Sequence, residues 1–398
     1  MILKNGLVLI NDELVKKDIL IVDGIITLIN DCINGDDTLD VNGLWVAPGA
    51  VDVHVHLREP GFTHKETIKS GTLSSAKGGI TTVMAMPNLN PTPDNLHNLN
   101  IEKEIISKDA VVNCYPYGAV SVGQKGLEIA DINNLSKEVY AVTDDGVGVN
   151  NLSILVEAMK ICKEKNIVMA SHAEDTVDSK LPQGEYVAVR REIEYAKEIG
   201  CKYHFCHLST KESFEAVKLA REAGYTNITC EVSPHHLFLN EMMIKDGNWK
   251  MNPPLRSEEN RLATLNALLN GVAQVIASDH APHSTLEKSK SYDECPNGII
   301  GLETMVPLVY TNLIKTNIAK YSDMLNWLVY NPIKIFNLPE RKLEVGYPAD
   351  LMILDINTYH KYNVDEILSM GKNTPFIDME LTGIAKYTLV KGKIVWQM

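Results

Sequence analysis

His54 and His56 stand two residues apart in the run Val51-Asp52-Val53-His54-Val55-His56. In an extended strand residues i and i+2 point to the same face, so two imidazoles placed this way can share one metal ion. Taken alone, the pair is equally consistent with two satisfied polar groups on a strand. The rest of the chain tips that balance. Asp144-Asp145-Gly146 closes a later β-branched run, and His172, His207 and Asp279-His280 close three more. A single aspartate at a strand end is more often a cap or a turn residue. Together, however, four histidines and two aspartates offer only nitrogen and oxygen donors, which suit zinc or a related divalent ion. Cys206 adjoins His207 in its strand and so faces the other way, which assigns it to the core.

Those residues need a scaffold that gathers strand ends at one place. Eight core strands are predicted: Val51–His56, Ile80–Met86, Val111–Val120, Val139–Asp145, Ile167–His172, Tyr203–His207, Ile228–His235 and Ala273–His280. Helical segments separate them, the pattern of parallel strands with crossover helices. Helix starts are predicted at two capping boxes, Thr63-x-x-Glu66 and Ser209-x-x-Glu212. Ser257 is expected to cap a further helix that Gly271 closes. Eight such units within about 250 residues have the size of a (β/α)8 TIM barrel, whose sites lie at the C-terminal strand ends. A doubly wound open sheet is the competing arrangement. Residues 1–50 and 346–398 read differently, as short strands joined by Asp-Gly, Asn-Gly and Lys-Gly turns. They are expected to form one small β-sandwich domain from both termini, beside a catalytic barrel over residues 51–345.

Composition narrows the class. The 398 residues are 45% hydrophobic and 22% charged, which excludes a disordered or fibrous chain. A formal charge of −13 argues against a sequence-independent grip on nucleic acid or an anionic membrane. The apolar stretch Ile19 to Ile29 is interrupted by Asp23 and falls short of the ~20 residues of a membrane helix. Seven cysteines without a CxxC pair suit reduced thiols in a cytoplasmic enzyme.

The stretch Asp52-Val53-His54-Val55-His56-Leu57-Arg58-Glu59-Pro60-Gly61 resembles the signature of the dihydroorotases, members of the metal-dependent amidohydrolase superfamily. The likeness continues in order through Gly78–Val83, Met86-Pro87-Asn88, Thr143–Gly146, His172–Asp175 and Cys206–Glu212. It then runs through Glu231–His236, Met251–Arg256, Ser278–His283 and Asn373–Phe376, so it spans nearly the whole chain. The long bacterial-type form is the most similar. The resemblance implies a barrel with a composite β domain and one or two zinc ions per subunit. His54, His56 and Asp279 would hold one ion, His172 and His207 a second, with Asp145 bridging. The preference for Asp145 over Asp144 comes from the family pattern. Many relatives bridge with a carboxylated lysine, and the strand Glu138–Asp145 contains none. The loop from His172 to the helix near Glu185 is shorter than usual in the family.

The same resemblance implies the chemistry: cyclisation of N-carbamoyl-L-aspartate to dihydroorotate, and its reverse, in pyrimidine synthesis. Asp279 would carry the proton between the attacking water and the ring nitrogen. Arg58, two residues beyond His56, has the bidentate fork that suits a carboxylate. By resemblance Arg58, Asn88 and His283 form the carboxylate pocket and Asn252 contacts the ring. The segment Cys295-Pro296-Asn297-Gly298 is expected to approach the substrate through its backbone, while His235 and His236 stay outside the ligand set. Two rivals share the pattern: an allantoinase or hydantoinase, and a silent homologue that scaffolds aspartate transcarbamoylase. The family admits a homodimer and a complex with that transcarbamoylase.

Overall fold

The computed structural model describes residues 1–175 and 181–398. Eight short parallel strands form a closed ring: Ala50–Val55, Ile80–Ala85, Asn113–Pro116, Ala141–Val142, Val168–Ser171, Lys202–Phe205, Ile228–Val232 and Val275–Ile276. Each pairs with its neighbour in chain order. Two single bridges, Gly118 with Val142 and Val55 with His280, complete the circle. The barrel, rather than the open sheet, is therefore the fold. The strands are buried along their length, which is why they read as near-continuous β-branched runs.

Several predicted strands are too long. The run expected over Ala273–His280 forms a strand only at Val275–Ile276, with a single bridge further on at His280, and Val139–Asp145 only at Ala141–Val142. The chain leaves the ladder before the polar residues so that their side chains can turn toward the barrel axis. His207 and Asp279 do so with left-handed backbone, at φ 31° and 50°. The predicted strand Ile228–His235 stops at Val232, because Pro234 starts a helical turn, Pro234–Phe238, that carries His235 and His236.

Two expected capping boxes are displaced. The first helix runs Ile68–Lys77 and is capped by Thr67 with Ser70, not by Thr63 with Glu66. Glu66 instead turns inward toward His280. The helix Lys211–Glu222 follows Thr210, and the hydroxyls of Ser209 and Thr210 are taken by the buried carboxylate of Glu185. Ser257 does cap its helix, and Gly271 closes it at φ 73°. The expected short loop after His172 falls on residues 176–180, outside the described residues.

The ends of the chain share one eight-stranded, sandwich-like sheet. The amino-terminal strand Trp45–Pro48 lies antiparallel to the carboxy-terminal strand Leu351–Asp355. Asp23-Gly24 forms the tight hairpin between Glu13–Val22 and Ile25–Asn30, with both φ values positive, at 50° and 79°, as a type I′ turn requires. Leu3, Ile19, Val46, Ile353 and Leu389 fill a core of their own.

Between Asp355 and Ile384 the chain leaves this sheet and lies over the barrel mouth. Tyr362, Ile367 and Phe376 pack there against Trp249, Met251 and Ile299. Two buried carboxylates from the barrel grip this strap. Glu303 accepts the Leu368 and Ser369 amides at 2.7 and 3.2 Å, and Glu66 accepts the Met370 amide at 3.2 Å. Among the described residues no helix is long and apolar enough to cross a membrane. All seven cysteines are free thiols.

One buried acid has no such role. Glu102, in the helix Leu96–Asp109, is 1% exposed, and its Oε2 has no hydrogen-bond partner among the described residues. Burial raises its pKa well above 4.5. The folded state then holds a proton that the unfolded state gives up, so stability falls as pH rises above 4.5 toward the folded value. Glu102→Leu should therefore stabilise the protein by about 1–3 kcal/mol at neutral pH. The gain should grow between pH 4.5 and 8 in thermal denaturation; equal gains at both ends would contradict the assignment.

Candidate active site

Six side chains converge at the C-terminal ends of the barrel strands. His54 ends the first strand, and His56 follows it with its ring centroid 5.4 Å from that of His54. His172 and His207 follow the fifth and sixth strands, Asp145 the fourth and Asp279 the eighth. Asp145 sits between two imidazole pairs. Its Oδ2 is 3.4 Å from His54 Nε2 and 3.5 Å from His56 Nε2. Its Oδ1 is 3.5 Å from His207 Nε2 and 3.7 Å from His172 Nδ1. Asp279 Oδ1 adds a second carboxylate 3.4 Å from His54 Nε2 and 3.3 Å from His56 Nε2.

Asp144 points elsewhere. Its carboxylate accepts from the Val120 and Ser121 amides at 2.8 and 3.1 Å and from the Ser121 hydroxyl. It is a structural tie between adjacent strand ends, and Asp145 alone of the pair reaches the histidines.

The electrostatics are those of an anion held by imidazoles. Burial alone would raise the Asp145 pKa, yet His54, His172 and His207 hold it well below the usual carboxylate range. Asp279 is likewise held low by His54 and His56 against its burial. His54 is steadied from behind, because its Nδ1 donates to Glu231 Oε1 at 2.6 Å. This fixes the ring so that Nε2 faces the aspartates. Glu231 also accepts from His204 Nε2 at 3.1 Å, and His54 and His204 hold its pKa down to about 2 against burial. His172 Nε2 is paired with Glu174 at 3.0 Å, which turns its Nδ1 toward Asp145.

This donor set fits a divalent ion. His54 Nε2 and Asp145 Oδ1 are buried and lack a good hydrogen bond among the described residues. His172 Nδ1 and His207 Nε2 lie 2.9 Å apart, at hydrogen-bond distance, and both face Asp145 Oδ1. Ligand atoms of His54, His56 and Asp145 lie within 4.8 Å of one another, as do those of Asp145, His172 and His207. Cys206 lies on the Glu231 side of His54, and burial drives its thiol pKa up, so it stays protonated.

A cavity of about 220 Å³ opens beside the cluster. It is smaller than the 300–1,000 Å³ typical of drug-sized ligands and suits a small metabolite. Arg58, Asn88, Asn252 and His283 all line it. Arg58 has left-handed backbone, φ 62°, and is half-buried, with its pKa lowered by desolvation to about 10, so it remains a cation at neutral pH. Asn88 donates to the Asp145 carbonyl at 2.7 Å, leaving a buried Oδ1 without a partner among the described residues. Asn252 Nδ2 lies 3.2 Å from Glu174 and 3.1 Å from His172 Nε2. His283 donates from Nε2 to the Asn297 carbonyl at 2.7 Å, while its Nδ1 faces Lys65 Nζ at 3.3 Å. Burial, Arg58 and Lys65 together lower its pKa to about 3, so it is a neutral ring. His235 and His236 do not line the cavity; His236 Nε2 donates to the Pro253 carbonyl.

Sequence reasoning did not single out Glu231, Glu174 or Lys65. Glu231 had a usable signal, a charge between Cys230 and Val232 in an otherwise apolar buried strand. Lys65 and Glu174 carried none beyond their nearness to matched motifs.

A closed parallel barrel with paired histidines and aspartates at its mouth defines a metal-dependent amidohydrolase fold. The L-hydantoinase (dihydropyrimidinase) of Arthrobacter aurescens superposes with a TM-score of 0.90 at 25% identity, over 100% of this chain and 96% of that one. The dihydropyrimidinase of Brevibacillus agri gives 0.87 at 20% identity, a likeness of fold. A dihydro-orotase-like family model matches residues 43–186. The dihydroorotase of Bacillus caldolyticus is 41% identical over 99% of this chain and 98% of its own length. That of Geobacillus kaustophilus is 42% identical over 92% and 90%. The chain belongs to the dihydroorotase family.

The two adjacent aspartates separate cleanly in experiment. Asp145→Asn should lower bound divalent metal by at least about tenfold with little change in melting temperature. Asp144→Asn should keep the metal and cost about 1–3 kcal/mol of stability. Metal analysis and thermal denaturation of both variants check this; loss of metal from Asp144→Asn alone would reverse the roles.

Proposed function

We propose that the protein is a zinc-dependent dihydroorotase that interconverts N-carbamoyl-L-aspartate and dihydroorotate in cytoplasmic pyrimidine synthesis. The observation that carries this reading is Arg58. It is a half-buried guanidinium lining a cavity of about 220 Å³, beside the histidine–aspartate cluster, where a substrate carboxylate can meet it. A hydantoin ring brings no carboxylate to satisfy that charge. Asn88 and Asn252, on opposite sides of the cluster, supply the further polar contacts. His283, being neutral, can only complement the carboxylate as a dipole and a wall, so the charge recognition falls to Arg58.

His54, His56 and Asp279 would hold one zinc ion, and His172 and His207 a second, with Asp145 between them. When bound, the metal acidifies water to a pKa near 7 and polarises the amide carbonyl. The chain's own part is proton handling and placement. Asp279, an anion at neutral pH, takes the proton of the attacking water and delivers it to the leaving ring nitrogen; cyclisation reverses these roles. Glu231 and Glu174 keep His54 and His172 in the tautomers that face the cluster. The convergence of all six ligand residues weighs against a silent scaffold.

Removal of metal with a strong chelator should reduce turnover of dihydroorotate by about a thousandfold or more, and added zinc should restore it. Arg58→Ala should lower kcat/KM by about a hundredfold, chiefly through KM, while zinc content stays unchanged. Parallel assays on dihydroorotate, hydantoin and allantoin test the reading; preference for either uncharged ring would overturn it.

A further inference from the structure

The cavity has a backbone wall, Asn297–Gly298, whose position depends on a side chain outside the cavity. Lys288 lines a separate cavity behind that wall, together with Asn373. It is 6% exposed, and its ammonium donates to three carbonyls: Lys250 at 3.2 Å, Pro296 at 2.9 Å and Gly298 at 2.9 Å. Three donors meet three acceptors, which is what a buried ammonium needs. Lys250 reciprocates, its own Nζ donating to the carbonyls of Asp293 and Cys295 at 2.9 and 2.8 Å. The Gly298 amide returns to the Lys250 carbonyl at 2.9 Å. Asn373 adds a second hold, donating to the carbonyls of Ala281 and Gly298 at 3.1 and 3.0 Å and accepting the His283 amide at 3.1 Å.

These contacts have a directional result. A planar trans peptide points its N–H opposite to its carbonyl. With the Pro296 carbonyl drawn back to Lys288, the Asn297 N–H is turned away from Lys288, and Asn297 lines the substrate cavity. Gly298 tolerates no side chain here, since a Cβ would stand 2.7 Å from the Ala281 carbonyl oxygen, and its φ is 130°. Lys250 lies two residues before Asn252, so the same ammonium ties the Asn297 wall to the Asn252 wall.

We propose that Lys288 is a positioning residue for substrate: by holding the carbonyls of Lys250, Pro296 and Gly298 it fixes the two walls of the cavity at their working separation. The inference rests on the dihydroorotase reading for its substrate, but not for its structural content.

The experiment compares wild type with Lys288→Met, which fills the space without donors, and Lys288→Gln, which keeps two N–H donors. Hydrogen–deuterium exchange over residues 295–299, zinc content, and kcat and KM for dihydroorotate are measured on each. Lys288→Met should raise KM about tenfold with kcat within about threefold of wild type and zinc unchanged, and Lys288→Gln should lie between. Exchange over 295–299 should quicken in the same order. Unchanged KM and unchanged exchange would overturn the proposal, as would a loss of kcat and zinc at constant KM. If Lys288→Met does not fold, Lys288→Gln carries the comparison alone. If the wild type does not turn over dihydroorotate, the substrate reading fails, and exchange still decides whether Lys288 holds the wall.

Discussion

A carboxylate buried among four imidazoles organises the barrel mouth. Removing the Asp145 anion from water is costly unless charge or hydrogen-bond donors meet it, and here they come from the first, fifth and sixth strands at once. Behind His54 the same problem is solved a second time, with Glu231 shared between His54 and His204. His54 thus lies between acids on both ring nitrogens, and its orientation is settled by the fold before any ion arrives.

The backbone bears part of this cost. Arg58, His207 and Asp279 all adopt left-handed conformations, worth roughly 1–3 kcal/mol each for residues other than glycine. All three sit just past the end of a barrel strand. Leaving the ladder early and turning the chain through a strained residue lets a side chain point along the barrel axis, where regular pleating would send it into the strand layer. The shortness of the fourth and eighth strands and the geometry of the site are two views of one feature.

Much of this was legible in the residues themselves. The two-residue spacing of His54 and His56, and the recurrence of His or Asp at the ends of β-branched runs, point to the side chains that converge at the barrel mouth. The Asp-Gly hairpin at residues 23–24 was legible for the same reason: its conformation depends on the two turn residues alone. What escaped were features fixed by partners far away in the chain. Glu66 reads as the end of a capping box, but its partners are His280 and the Ser369–Met370 backbone. Ser209 likewise reads as a cap, and a glutamate 24 positions earlier claims it. Lys288 and Asn373 are silent for the same reason. Their acceptors are backbone carbonyls, which leave no mark in a sequence. His235 is a different miss: Ser233-Pro234 is a local helix start, and it ends the ladder at Val232.

The strap over the barrel mouth adds a dimension of time. Asn373 holds the carbonyl of Gly298, which precedes it by 75 positions. At roughly 5–20 residues per second, a ribosome needs about 4–15 s to make that stretch. Until that stretch is made, the Gly298 wall lacks the hold that Asn373 supplies. The wall therefore reaches its full set of holds only with the last turn of the chain across the mouth.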